Sequence, residues 1–155
     1  MTSHRMPQML RRFALLLALA GCRLTSGPTS ALSLVVTPAQ GSVRAGQNLQ
    51  VEVLVTNIGE VAVSLYGPVC DYPFEARAPG GGVVPPPSAL ICAAILRGPT
   101  TLGPGETHRF PSVWLTRGPQ NGTALAAGVY ELRPTNFTVR GARMELRSTS
   151  VTVTN

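Results

Sequence analysis

Between Gln47 and Thr56 the chain places Leu49, Val51, Val53 and Val55 on one face and Gln50, Glu52 and Thr56 on the other. A period of two is the signature of a β-strand with one buried face, and no helix accommodates it. Similar short runs recur between Gly, Pro and Asn punctuation, and no segment after the first 21 residues has the period of a long amphipathic helix. Leu32 to Thr37 predicts a strand ended by Pro38, and Val61 to Tyr66 a strand returning from the Asn57 to Glu60 turn, so that the two runs around this turn form the clearest hairpin. Tyr72 to Arg77 reads as an edge strand because Pro73 cannot donate to a central ladder. Further strands are expected at Ala89 to Leu96, Thr107 to Leu115, Gly128 to Arg133, Asn136 to Val139 and Arg143 to Thr154, the last split or bulged. Together they predict an all-β sandwich of seven or eight antiparallel strands around one core.

The start of the chain has a different character. Arg5, Arg11 and Arg12 precede a short apolar run from Phe13 to Ala20, the layout of an export signal and too short to span a bilayer. Leu19, Ala20, Gly21 and Cys22 resemble the lipobox of bacterial lipoproteins, in which the small residues fit the signal peptidase and the cysteine thiol carries lipid. That resemblance implies a signal peptide over 1–21, a linker over 22–31 and a folded domain over 32–155. It also implies a membrane anchor at Cys22 and a location in the bacterial cell envelope, outside the cytoplasm.

Removing 21 of the 155 residues leaves 134, enough for one domain. Every basic residue except the histidines is arginine; ten remain in the mature chain against seven acidic residues, a balance of +3. Arg133, Arg140, Arg143 and Arg147 make the last third basic. With no nucleic-acid-binding motif, they read as a solvated strand face; weak attraction to an acidic envelope surface or an acidic partner is the alternative. If Cys22 is lipidated, Cys70 and Cys92 remain in an oxidising compartment. A disulfide between them is expected and would add about 3 kcal/mol; two separate buried thiols are the alternative.

The segments Val51 to Gly67, Cys70 to Val84, Leu102 to Trp114 and Ala124 to Val139 resemble, in order and spacing, the domain named for the intracellular proteinase inhibitor of Bacillus. The resemblance covers about residues 32 to 155. It implies an Ig-like β-sandwich and, through the eponymous member, a protein partner such as a subtilisin-type serine protease. The lipobox departs from that cytoplasmic namesake.

The matched motifs have structural roles of their own. Leu102 to Glu106 reads as a turn with Pro104 fixing φ and Gly105 accepting positive φ. Trp114 and Tyr130 are expected in the core. Asn121 to Thr123 and Asn136 to Thr138 match glycosylation sequons but read as turn and strand residues.

Catalytic chemistry finds little support. The mature chain holds one histidine, His108, and one aspartate, Asp71, with no nucleophile elbow around a serine. Asp71 and Glu75 diverge at strand spacing, and no cofactor or metal motif is present. The expectation is a binding protein rather than an enzyme. Its candidate binding loop is Ala78 to Ser88, where the glycines Gly80, Gly81 and Gly82 meet the rigid prolines Pro85, Pro86 and Pro87. The competing expectation is an envelope assembly subunit that joins a partner through a sheet edge.

Overall fold

The computed structural model describes residues 29–68, 72–86, 98–118 and 122–155. These form twelve strands: β1 (Ala31–Pro38), β2 (Ser42–Arg44), β3 (Asn48–Asn57), β4 (Val63–Tyr66), β5 (Phe74–Arg77), β6 (Val83–Val84), β7 (Thr100–Leu102), β8 (Thr107–Leu115), β9 (Gly128–Pro134), β10 (Thr138–Val139), β11 (Arg143–Arg147) and β12 (Thr149–Thr154). The excess over seven or eight comes from β2, β6, β7 and β10, pieces of two or three residues. The strand expected at Ala89 to Leu96 lies outside the described residues.

Three sheets result, in the orders β11-β1-β3-β8, β10-β4-β7 and β2-β12-β9-β5-β6. Their apolar faces meet in one core. Leu32, Leu34 and Val36 of β1 and Leu49, Val51, Val53 and Val55 of β3 are buried, and Phe74, Ala76, Leu132, Val151 and Val153 close the other side. Trp114 on β8 lies 5.5 Å, centroid to centroid, from Tyr130 on β9, joining the first and third sheets. Tyr130 Oη donates to the Ala126 carbonyl at 2.9 Å, four residues upstream, in the manner of the tyrosine corner of Ig domains. The chain is therefore an all-β, Ig-like sandwich.

The expected β3–β4 hairpin does not form. β3 pairs with β1 on one side and β8 on the other, whereas β4 pairs with β7 and β10 in another sheet. The cause is local. The Asn57 side chain accepts from Gly59 N–H at 2.9 Å and donates to the Val61 and Leu102 carbonyls, so the turn carries the chain away from β3. Gly59 is required there, because a Cβ would collide with the Thr29 carbonyl and lie 2.7 Å from Ala31 N.

Two further expectations are corrected. β5 begins after Pro73 and sits between β9 and β6, so Tyr72 to Arg77 is not an edge strand. The ladders are also not all antiparallel: β1 pairs with β11 and β2 with β12 in parallel. Both pairs join distant parts of the chain, as parallel pairing requires. The last segment is split as expected. After Arg147 the chain leaves β1 and enters the third sheet, pinned at the crossing by Thr149 Oγ1, which donates to the Val36 carbonyl at 2.6 Å.

Candidate binding cleft at the sandwich edge

A cleft of about 330 Å³ opens where β1 and β11 approach β5 and β9. Its apolar lining comes from Leu34, Phe137, Met144 and Leu146. In register, Met144 stands beside Leu32 and Leu146 beside Leu34, so both side chains occupy the core-facing side of the first sheet. Leu32 and Leu34 are fully buried, yet Met144 and Leu146 remain 37% and 41% exposed. The described strands of the opposite sheet do not cover the inner face of β11, and the cleft is that uncovered strip.

The polar lining includes Glu75, Arg77 and Arg133. Strand alternation puts Glu75 and Arg77 on one face of β5, and Glu75 stands opposite Arg133 of β9. Arg77 donates through Nε to Glu75 Oε1 at 2.7 Å, and its terminal nitrogen lies at the same distance from that oxygen. Both side chains are half-buried, so the pair is partly shielded from solvent. Phe137 packs against Phe110 of β8 with ring centroids 5.1 Å apart. Just before it, Asn136 takes the left-handed conformation at φ 64° and donates to the Tyr72 carbonyl at 2.8 Å. The arrangement can hold an apolar group against Met144 and Leu146 and, since Glu75 is held by Arg77, an anion against Arg133.

The loop singled out from the sequence is elsewhere, at the β5–β6 hairpin. Ala78 N–H donates to the Gly82 carbonyl at 2.8 Å and Gly81 N–H to the Ala78 carbonyl at 2.9 Å. Gly80 and Gly81 have φ of 97° and 90°, a conformation that favours glycine. Gly80, Gly81, Gly82, Pro85 and Pro86 are exposed; Pro87 falls outside the described residues. Pro79 packs on Gly128, which ties the tip to the start of β9.

Leu19, Ala20, Gly21 and Cys22 also lie outside the described residues, as do Cys70, Asp71 and Cys92. His108 is exposed on β8, with its ring centroid 4.6 Å from that of Phe110. Gly105 takes φ 77° in the turn before β8, as its motif requires. Trp114 and Tyr130 are buried.

The sequence alone does not reveal the cleft: of the arginines in the basic last third only Arg133 lines it, and Arg143 and Arg147 lie on the far side of β11. Met144 and Leu146 alternate with charged residues as in any half-buried strand, and nothing local signals that no described strand covers their inner face.

Two tyrosines give the fold a pH signature. Burial pushes the Tyr72 phenol up to about 12 and also raises that of Tyr130 above the ordinary 10. A raised acid pKa leaves stability fully present below pH 10 and removes it as pH rises through the folded value. The chain contains no lysine, and arginine holds its proton past this range, so tyrosines dominate the window. Between pH 10 and 12 the unfolding free energy is expected to fall by about 2 kcal/mol from Tyr72 alone. Urea melts across this interval measure the slope, and Tyr72→Phe should flatten it.

No protein-family model and no curated protein matches this sequence. Among solved structures, the chain is similar to the CARDB domain of the PF1109 protein from Pyrococcus furiosus, solved with di-metal ions. The identity is 16% and the TM-score 0.47, over 83% of this chain and 97% of that one. It is also similar to part of a β-glucosidase from Erythrobacter marinus, with 17% identity and TM-score 0.46 over 81% of this chain. A β-glucosidase from Listeria innocua gives 14% and 0.45, again over 81%. This chain spans only 16% of the length of either glucosidase. Among the described residues, no group of three or more His, Cys, Asp or Glu side chains is placed to hold a metal ion. At these identities and TM-scores, neither metal nor sugar chemistry carries over from these neighbours.

Proposed function

We propose that this chain is a lipid-anchored, extracytoplasmic recognition module that binds another protein at the β11 side of the sandwich. The observation that supports this reading is the juxtaposition of an edge strand with an open, part-apolar cleft. Exposed apolar side chains beside unpaired strand backbone favour a protein ligand, which supplies both a complementary strand and side chains to fill the cleft. Acyl chains on Cys22 would hold the domain at the membrane. A linker over residues 22–31 reaches at most about 35 Å when extended, so the partner would be met close to the membrane surface.

The β5–β6 hairpin supports a second reading. Its tip is exposed, braced by two backbone hydrogen bonds and followed by exposed Pro85 and Pro86, and a pre-organised loop loses less entropy on binding. Together with the resemblance to the Bacillus inhibitor family, this favours capture of a serine protease at the tip.

One experiment separates these readings. A photoreactive amino acid is placed in living cells at Met144, at Val83 beside the hairpin tip, or at Val129; all three are exposed. A discrete protein adduct at Met144 is expected. An adduct confined to Val83 and containing a serine protease would favour the inhibitor reading, and no adduct at any of the three positions would remove the recognition role.

A further inference from the structure

We infer that the β11 edge takes an extended acidic peptide as an added strand, with apolar and acidic residues alternating. This rests on the recognition role proposed above and names the chemistry of its ligand. In the described ladders β11 pairs only with β1 and stands at the end of its sheet. Arg143 N–H donates to the Ser30 carbonyl at 3.0 Å, which sets the phase of the strand. Arg143, Glu145 and Arg147 therefore direct their backbone groups to β1, and the N–H and C=O groups of Met144 and Leu146 point to the open edge. An added strand would complete its ladder on those groups.

Side-chain chemistry selects the ligand. On the cleft side of β11 lie Met144 and Leu146, and on the opposite side Arg143, Glu145 and Arg147. A strand laid alongside would present alternate residues to each. Those beside Met144 and Leu146 gain by being apolar. Those beside Arg143 and Arg147 gain by being acidic. Glu145 lies 3.7 Å from Arg143, and Glu75 is taken up by Arg77. Across the cleft and β11 together, four arginines (Arg77, Arg133, Arg143 and Arg147) stand against two glutamates (Glu75 and Glu145). The excess is positive and attracts an acidic segment.

The other long edge of the same sheet differs. β8 carries Pro111 in mid-strand, which removes a backbone donor and blunts that edge. β11 carries no proline. The uncovered apolar side chains, the outward backbone groups and the positive excess thus coincide at β11.

The test uses the full chain in detergent micelles and two fluorescent, end-capped octapeptides, one alternating valine with glutamate and the other valine with lysine. Fluorescence anisotropy is expected to show the glutamate peptide binding at least about tenfold more tightly than the lysine peptide, with the preference shrinking as salt is raised. Met144→Pro removes one outward N–H while sparing the bonds to β1, and is expected to weaken binding about tenfold or more. Should that variant fail to fold, R143E/R147E, which changes only exposed side chains, is expected to reverse the preference between the two peptides. Equal binding of both peptides, binding of neither, or a preference that R143E/R147E leaves in place overturns the inference. The recognition role itself is judged separately by the photoadducts: an adduct at Val83 or Val129 alone would keep it while discarding the β11 ligand.

Discussion

Replacing Asn57 with alanine is expected to lower the unfolding free energy by about 3 to 4 kcal/mol, far beyond the change a turn asparagine usually brings. Asn57 is the last residue of β3 and is completely buried. Its Nδ2 donates to the Val61 carbonyl at 2.8 Å and to the Leu102 carbonyl at 2.9 Å. Its Oδ1 accepts from Gly59 N–H at 2.9 Å. The backbone is engaged as well: Asn57 N–H donates to the Glu106 carbonyl and its own carbonyl accepts from Gly105 N–H, each at 2.9 Å. One side chain thus bolts the end of β3 to the start of β4 and to the turn before β8. Alanine strands three polar backbone groups at that junction, and a buried group left without a partner costs about 1 to 3 kcal/mol. Asn57→Asp is nearly the same size but brings a carboxylate up to two carbonyl oxygens, and should be at least as damaging. Urea melts followed by circular dichroism measure both variants. A loss below about 1 kcal/mol for Asn57→Ala would contradict the role given to this residue.

Trp114→Ala should cost a comparable amount, about 3 to 5 kcal/mol. Trp114 is 1% exposed and is among the largest fully buried side chains. It projects from β8 next to Leu49 of β3 in register and meets Tyr130 across the sandwich. Removing the indole leaves a cavity where two sheets join, and flanking strands can close over it only in part. Trp114→Phe keeps a ring in the same place and should lose about 1 to 2 kcal/mol. This is the only tryptophan, so circular dichroism rather than fluorescence follows the melts.

Much of the architecture was legible because strand periodicity is local. Leu49, Val51, Val53 and Val55 alternate in sequence and are all buried in the structure. The break between β11 and β12 was also visible. Apolar residues occupy even positions at Met144 and Leu146 and odd positions at Val151 and Val153, and a single uninterrupted strand cannot bury both sets. The β3–β4 pairing was misread for the opposite reason. A turn signal between two apolar runs predicts that they are neighbours in sequence, whereas the partner of a strand is chosen by distant residues. Here Leu102, forty-five positions away, takes the Asn57 amide and helps decide the outcome.

By itself the sequence determined the class of fold, the buried face of β3, the turn geometry around Gly105 and the core positions of Trp114 and Tyr130, since these follow from two-residue periodicity, backbone sterics and side-chain size. Only the tertiary structure decided which strands lie together in each sheet and which inner face is left open. β11 carries an ordinary alternating pattern, and Met144 and Leu146 line a cleft because the described strands of the sheet opposite do not extend over them. Coverage of one sheet by another is a property of two distant segments at once, which neither segment encodes alone.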